Sequence, residues 1–417
     1  MPFKSGLKNT LLLWFLWLIA CGNPGSTVAS KPISAKKPEK QQLDLPIVVA
    51  ANRTSQYLDL LKGKRLGIVA NQTSVVFRDT EHPEAGNTHL VDSLLALGMD
   101  IKRVFAPEHG FRGTADAGEA VKDGADAKTG LPIISLYGKN RKPGASQLED
   151  LDLIVFDIQD VGVRFYTYIA TLQLVMEACA EQSIPVLVLD RPNPNGHYVD
   201  GPSMEKEHQS FLGMTPIPLV YGMTIGEYAQ MINEEGWLDG GNKASITVIP
   251  LDNYTHNKPY SLPIRPSPNL PNDIAINLYP SLGLFEGTHI NAGRGTEFQF
   301  QRFGAPFLDK EYFSFSYTPA PNFGSKNPKH DGEICYGEDL SQYPPMRSVS
   351  LKWLIAAYKN AKDQSAFFKT SGFTKHAGTS KLQAAIEAGK SEMEIRKGWE
   401  QDLNTFRKIR AKYLMYP

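Results

Sequence analysis

The chain has 417 residues, more than one ordinary core accommodates, and its 41% hydrophobic and 21% charged residues are typical of a globular protein. Lys plus Arg and Asp plus Glu both number 44, so the formal net charge is zero and nothing in it indicates a nucleic-acid partner. Length and composition therefore favour a folded protein of two domains.

The N-terminus has the pattern of a secretory signal. Lys4 and Lys8 precede an apolar run, residues 11–20, that is too short for an ordinary membrane-spanning helix. The run leads directly into Cys21, as in a bacterial lipobox, where the cysteine becomes the lipidated first residue. An ordinary signal peptide or an uncleaved anchor is the alternative.

We therefore expect a lipoprotein signal peptide at 1–21 and a flexible, Pro- and Lys-rich tether at 22–48. Gly22 follows the cysteine, where an Asp would be associated with inner-membrane retention. The expected location is the bacterial cell envelope, with a lipid anchor in the outer membrane and the protein facing the periplasm.

Residues 49–260 alternate apolar runs with amphipathic stretches, a pattern that predicts an α/β domain. The runs interpreted as strands are 66–70, 101–106, 132–136, 151–158, 184–190 and 244–251. Helical candidates lie between them at 89–98, 168–182 and 225–237. This alternation favours an open, mostly parallel sheet with helices on both faces.

The character of the chain changes after residue 260. Pro and Gly become frequent, and 259–346 is interpreted as loops with short strands. Helices are predicted at 348–362, 379–391 and 392–416. We expect residues 261–417 to form a smaller α+β domain.

Polar residues follow most of the predicted strands. In open α/β sheets, ligands bind beyond the carboxyl ends of the strands, and these residues exceed what helix capping needs. We expect a binding cleft there, built from Asn71 after the first strand, Glu108, His109 and Arg112 after the second, Gln159, Asp160, Arg164 and Tyr166 after the fourth, and Arg191 and Asn193 after the fifth.

Several common sites are missing from the sequence. The first strand-to-helix turn, VANQTS, lacks the glycines of a dinucleotide site, and there is no P-loop, nucleophile elbow or H-E-x-x-H motif. Cys179 and Cys335 are too isolated for a zinc site. We therefore expect no cofactor and no metal.

Carboxylates, amides, arginines and tyrosines in one cleft would suit a sugar. Glu108 follows a buried strand and suits the role of the acid in glycoside hydrolysis. A solvated loop carboxylate is the alternative for Glu108, in which case the acid is sought among Asp157, Asp160 and Glu286. An ordinary loop histidine is the alternative for His109. Arg112 and Arg164 could instead be structural partners of acidic residues, and Asp160 a helix cap.

Long motifs resemble the exo-β-N-acetylmuramidases over roughly residues 50–417. They are PEHGFRG (107–113), DIQDVGVRFYTY (157–168), LDRPNPNG (189–196), FEGTHINAGRGTEFQFQRFGAP (285–306) and the closing YLMYP. The resemblance implies a Rossmann-like domain plus a smaller C-terminal domain, with the cleft between them. It implies release of N-acetylmuramic acid from the non-reducing ends of peptidoglycan fragments, as in cell wall recycling, and assigns the catalytic glutamate to Glu108.

This substrate carries a lactyl carboxylate, so its site should offer a cation. The candidates are Arg112, Arg164, Arg191 and Arg294, with Arg164 expected first. The second catalytic group stays open among Asp160, Tyr166, Tyr168 and the substrate's own 2-acetamido group. Two other functions are alternatives: a lipid-anchored protein that binds muropeptide sugars without cleaving them, and a metal-assisted hydrolase using Glu108 and His109.

Overall fold

The computed structural model describes residues 45–113 and 123–417. The predicted signal peptide with Cys21, and the tether as far as residue 44, lie outside this part of the chain, so lipidation and membrane anchoring stay predictions. Among the described residues, no helix combines the length and the apolar character needed to cross a bilayer.

Each of the six runs that the sequence predicts as strands is a strand in the structure. In chain order the strands are β1 Arg65–Ala70, β2 Val75–Phe77, β3 Asn87–His89, β4 Asp100–Ala106, β5 Gly124–Ala125, β6 Pro132–Ser135, β7 Leu153–Asp157, β8 Val186–Leu189, β9 Asp200–Ser203, β10 Pro218–Val220, β11 Ile246–Ile249, β12 Arg302–Ala305, β13 Phe315–Tyr317 and β14 Cys335–Asp339.

The main sheet has seven strands in the order β11-β8-β7-β1-β4-β6-β5. All run parallel except β5, which pairs antiparallel with β6. The chain moves outward from β1 through β4 to β6, then returns to the other side of β1 with β7, β8 and β11. The order reverses between β1 and β7, which is where a doubly wound sheet binds ligands. The predicted Rossmann-like sheet is confirmed.

The helices of the described chain cover this sheet and build the C-terminal part. They are α1 Leu58–Leu61, α2 Leu90–Ala96, α3 Tyr168–Glu181, α4 Ile225–Glu234, α5 Asp273–Leu282, α6 Lys352–Lys359, α7 Thr370–Ala377, α8 Lys381–Glu387, α9 Glu392–Lys397 and α10 Glu400–Arg410. Both faces are covered: along β7, Phe156 joins an apolar cluster with Leu172 of α3, and Val155 joins another with Leu94 of α2.

The C-terminal part contains an antiparallel sheet, β12-β14-β13, and helices α6 to α10. This confirms the expected smaller domain. Phe303 of β12 and Phe156 of β7 belong to the same buried cluster, so the two parts share one core. The division at residue 260 stays a prediction.

One helix prediction in this part was wrong, and two helices were not predicted. The single helix expected over 392–416 is two short helices, because Gly398 and Trp399 form a turn in which each N–H donates to the carbonyl three residues earlier. The second helix ends at Arg410. Helices α5 and α7 were not expected, since α5 lies in a Pro-rich region and contains Pro280 itself.

Tertiary contacts explain why α5 forms despite its proline. Pro280 has no N–H to donate, so the carbonyl of Ile276, one turn earlier, loses its helical partner. Asn195, in the loop after β8, donates its side-chain amide to that carbonyl at 3.1 Å and to Val161 O at 2.9 Å. Asn195 therefore ties α5 to the strand-end loops of the main sheet.

Candidate functional site

The PEHGFRG loop begins where β4 ends, and two tight turns shape it. The N–H of Gly110 donates to Pro107 O at 3.0 Å, and the N–H of Gly113 donates to Gly110 O at 3.2 Å. Gly110 has a φ of 78° and His109 a φ of 70°. Glycine adopts this left-handed conformation freely, whereas in histidine it costs energy. The strained residue therefore directly follows Glu108, in a loop where such strain is typical of function.

Two hydroxyl groups from other strand-end loops hold the half-buried Glu108 side chain. Thr167 Oγ1 donates a hydrogen bond of 2.9 Å to Glu108 Oε2. The Tyr137 hydroxyl is also hydrogen-bonded to this carboxyl, and burial together with the nearby Glu108 raises the pKa of Tyr137 above its ordinary value. Tyr168 OH lies 3.4 Å from the backbone oxygen of Glu108. Both the carboxyl and its backbone are thus fixed by donors.

A pocket of about 330 Å³ opens beside Glu108. Its size is in the range of small-ligand sites. His109 also lines it, and six aromatic rings supply much of its wall: Tyr137, Phe165, Tyr166, Phe211, Tyr279 and Phe300. Aromatic faces suit the apolar face of a pyranose ring, so the wall and the carboxyl together fit a sugar.

The other charged side chains of the pocket include a carboxylate between cations. Arg294 Nε lies 3.1 Å from Glu286 Oε1, and both residues line the pocket. Burial alone would raise the pKa of Glu286, but the Arg294 and Lys329 cations outweigh it and hold the pKa at about 2. Burial lowers the pKa of Lys329 to about 8, and its Nζ donates to the backbone carbonyls of Phe285, Thr288 and Ile290.

Two of the four predicted arginines bind groups of the protein outside the pocket. Arg112 pairs with Asp126 at 2.8 Å. Arg164, 1% exposed, donates to the backbone carbonyls of Pro202, Ile217, His376 and Ala377. Neither side chain lines the pocket. Arg164, the first expectation for the lactyl carboxylate, instead joins the segment before α3 to the end of α7.

The third arginine is part of a buried ion pair. Arg191 Nε and Nη2 donate to the two carboxylate oxygens of Asp157 at 2.6 and 2.8 Å, and both side chains are at most 2% exposed. Of the four candidates, Arg294 is the one that the structure brings to the pocket with Glu108.

Asp160, the sequence candidate for the second catalytic carboxylate, is buried away from the pocket lining. Its Oδ2 accepts hydrogen bonds from Gly162 N at 2.6 Å and from the Tyr221 hydroxyl. Burial raises the pKa of Asp160 to about 7, although these donors oppose the shift. Tyr166 does line the pocket, with its hydroxyl bound to Pro266 O at 2.6 Å.

The three predicted amide side chains also stay inside the loops. Each is buried and bonded to backbone: Asn71 Oδ1 accepts from Thr73 N at 2.9 Å, Gln159 Nε2 donates to Pro192 O at 2.6 Å, and Asn193 Nδ2 donates to Met223 O at 2.8 Å. They shape the edge of the sheet without lining the pocket.

Several pocket residues were not among the predicted ones, and only some left a signal. Thr167 lies in the motif DIQDVGVRFYTY, so closer attention to that motif would have found it. Glu286 lies in FEGTHINAGRG and was expected only as an alternative acid. Lys375 and His376 lie on α7, a helix that the sequence did not predict, and Phe211 lies in a loop without a pattern.

One cluster in the described part of the chain has the spacing of a metal site. It consists of Glu205, Glu207 and His208, which do not line the Glu108 pocket. Lys381 Nζ already lies 2.5 Å from Glu205 Oε1 and neutralises part of its charge.

Comparison with known proteins gives one consistent family. The models of the exo-β-N-acetylmuramidase NamZ N-terminal and C-terminal domains match residues 66–274 and 277–416. The chain is 37% identical over 435 residues to the peptidoglycan β-N-acetylmuramidase NamZ of Bacillus subtilis strain 168, covering 98% of this chain and 100% of that protein.

Two solved structures from Bacteroides fragilis NCTC 9343 are also similar, both described as DUF1343 family proteins. One has a TM-score of 0.81 at 42% identity and the other 0.74 at 26%. Each comparison covers 89% of this chain and 99% of the other.

Proposed function

As a member of the exo-β-N-acetylmuramidase family, this chain is a glycoside hydrolase that acts on peptidoglycan, and we propose that it releases N-acetylmuramic acid from the non-reducing ends of peptidoglycan-derived glycans. One observation carries the proposal: Glu108 and Arg294 line the same pocket. The substrate needs an acid at its glycosidic oxygen and a cation at its lactyl carboxylate, and these two residues supply both.

Glu108 is the proposed general acid. Its carboxyl is half-buried beside the pocket and is held by the hydroxyls of Thr167 and Tyr137. A held carboxyl can deliver its proton to the leaving sugar oxygen as the bond breaks, which spares the leaving group a negative charge.

Arg294 is the proposed partner of the lactyl carboxylate. Arg294 and Lys329 are positively charged and Glu286 is negatively charged, so the cluster of these three residues has a net charge of +1. A bound carboxylate would neutralise it, and the planar guanidinium suits that group. N-acetylglucosamine lacks the carboxylate and would leave the cluster charged.

Glu286 is the proposed second carboxylate. Retaining and inverting glycosidases both use a carboxylate on the side of the anomeric carbon away from the acid. Glu286 lines the pocket and is kept ionised by Arg294 and Lys329, the state that a base or a charge-stabilising group requires. Asp160 lacks contact with the pocket lining.

The test compares Glu108→Gln with Glu286→Gln on two substrates. One is a disaccharide of N-acetylmuramic acid and N-acetylglucosamine, and the other is the 4-nitrophenyl glycoside of N-acetylmuramic acid. We expect Glu108→Gln to lower kcat on the disaccharide by about a hundredfold or more, the scale of general acid catalysis. Nitrophenolate leaves without help, so the loss on the aryl glycoside should be much smaller.

Glu286→Gln should slow both substrates to a similar extent, because its role does not depend on the leaving group. Near wild-type cleavage of the disaccharide by Glu108→Gln would contradict the proposal. Failure of the wild-type protein to cleave either substrate would favour a protein that only binds muropeptide sugars.

A further inference from the structure

We propose that Thr167 is a positioning residue for the acid: its hydroxyl fixes Glu108 Oε2 and so holds the carboxyl in the orientation from which it gives its proton to the leaving group. This inference rests on the proposed function of Glu108. The contact that carries it is the hydrogen bond of 2.9 Å from Thr167 Oγ1 to Glu108 Oε2.

The backbone of Thr167 leaves its hydroxyl available for this contact. Thr167 directly precedes α3, but its φ of −75° and ψ of −1° are helical, whereas a threonine that caps a helix has extended angles and accepts a first-turn N–H. The side chain of Thr167 makes no such capping bond. It is 6% exposed and directs its hydroxyl to Glu108.

The two hydroxyls around Glu108 come from different strand ends. Thr167 follows β7, and Tyr137 follows β6, next to the strand β4 that leads into Glu108. Burial and Glu108 itself raise the pKa of Tyr137, so its phenol stays protonated and remains a donor. A carboxyl held from two directions cannot rotate freely.

Fixing one oxygen fixes the orientation of the whole carboxyl. A hydroxyl bonded to Oε2 restrains rotation about the last side-chain bond of Glu108. A carboxyl without this restraint would exchange its two oxygens by rotation and would spend less time in the reactive geometry. The expected consequence lies in kcat, with substrate binding unchanged.

The test replaces Thr167 and a matched neighbour. Thr167→Val removes the hydroxyl at nearly constant shape, and Thr167→Ser keeps it. Thr171→Val is the control, because Thr171 is 1% exposed in the same helix and its hydroxyl bonds to Thr167 O at 3.3 Å, not to Glu108. Each variant is assayed on the disaccharide and on the 4-nitrophenyl glycoside, with thermal unfolding as a check of folding.

Thr167→Val should lower kcat on the disaccharide by up to about tenfold, the value of one hydrogen bond to an uncharged carboxyl. KM should be unchanged, and the loss on the aryl glycoside smaller. Thr167→Ser should restore most of the activity, and Thr171→Val should behave like the wild type. In the Glu108→Gln background, Thr167→Val should cause no further loss.

An equal loss on both substrates, or a loss that persists in the Glu108→Gln background, would mean that Thr167 acts only on structure. Wild-type kcat in Thr167→Val would overturn the inference even if Glu108→Gln is inactive. An active Glu108→Gln variant would overturn the proposed function first. If Thr167→Val does not fold, Thr167→Ser decides between the two roles. The serine hydroxyl rotates more freely than that of threonine, so kcat should fall slightly on the disaccharide and stay unchanged on the aryl glycoside.

Discussion

The carboxyl edge of the main sheet has two sides that look alike in sequence and differ in structure. On the side of β4 and β6, Glu108 and Tyr137 reach a pocket. On the side of β7 and β8, Asp157 and Arg191 bind each other within the protein. Strands on both sides are followed by charged or polar residues. On the side of β4 and β6, which we call the open side, the charged residue after the strand reaches the pocket. On the side of β7 and β8, the closed side, the Asp157–Arg191 pair does not, although Tyr166 and Thr167 farther along the chain after β7 do.

The difference comes from the partners within reach. A charged group at the end of a buried strand must find an opposite charge or remain near solvent. Asp157 pairs with Arg191, which follows the neighbouring strand β8, and both side chains are buried. Glu108 has hydroxyl donors from Thr167 and Tyr137 and keeps access to the pocket. Polarity at a strand end therefore indicates a site only where the side chain keeps access to a cavity.

The largest expected effect on stability is at the closed side. Arg191→Met leaves the Asp157 carboxylate buried without its cation, which should lower the free energy of unfolding by about 3–5 kcal/mol. Urea unfolding of purified variants measures it. The fraction that stays folded should keep the catalytic rate of the wild type, because Arg191 does not line the pocket.

Arg65→Met is the matched control for this prediction. Arg65 binds Asp152 with the same two-point geometry, at 3.0 and 2.8 Å, but the two side chains are 45% and 39% exposed. An exposed pair contributes about 0–1 kcal/mol. Similar losses in both variants would contradict the comparison, because burial would then not decide the value of the pair.

The open side yields a prediction about selectivity. Arg294→Met should weaken binding of N-acetylmuramic acid by about 2 kcal/mol or more, as for one partner removed from a buried charge pair. Binding of N-acetylglucosamine should change little. Titration calorimetry in the Glu108→Gln background avoids turnover. Arg141→Met is the control, since Arg141 is exposed at the pocket rim and rests on the Phe211 ring at 4.4 Å. Equal losses for both sugars would contradict the assignment.

The sequence predicted the main sheet and the PEHGFRG loop better than it predicted which charged side chains pair with each other. Apolar runs define strands because burial on both faces requires them, and the glycines of PEHGFRG indicate a turn at Glu108. Which arginine meets which carboxylate depends on distances between residues far apart in the chain, such as Arg191 and Asp157. No periodicity reports such distances, so Arg164 seemed a better candidate than Arg294.

The unpredicted helices have the same cause. α5 contains a proline, and its lost hydrogen bond is compensated by Asn195, 81 residues before Ile276. α7 brings Lys375 and His376 to the pocket, and its Thr- and Gly-containing sequence has weak helix propensity. Where tertiary contacts rather than local preference form an element, sequence patterns miss both the element and the site residues it carries.

The smallest expected effect, measured over one pH unit, is a pH dependence at Asp160, on the closed side. Burial raises its pKa from 3.8 to about 7 in the folded protein. Between these values the folded state holds a proton that the unfolded state has lost, so stability from this group is complete below pH 4 and falls as pH rises towards 7. The slope should be about 1.4 kcal/mol per pH unit. Asp160→Asn is neutral at every pH and should lose this component, as urea unfolding at pH 5, 6 and 7 can measure.

Asp190→Asn provides the contrast, because burial also raises the pKa of Asp190 to about 7. Both its oxygens accept hydrogen bonds, from Gly226 N at 2.8 Å and from the Tyr416 hydroxyl at 2.6 Å among others. Asparagine would replace one of these accepting oxygens by an NH2 group that faces another donor. Asp190→Asn should therefore destabilise the fold at every pH. Asp160 Oδ1 has no partner among the described residues, so an amide there meets no donor. If wild type and Asp160→Asn gave parallel pH profiles, Asp160 would be ionised in the folded protein, and the closed side would hold a charge that no cation among residues 45–113 and 123–417 matches.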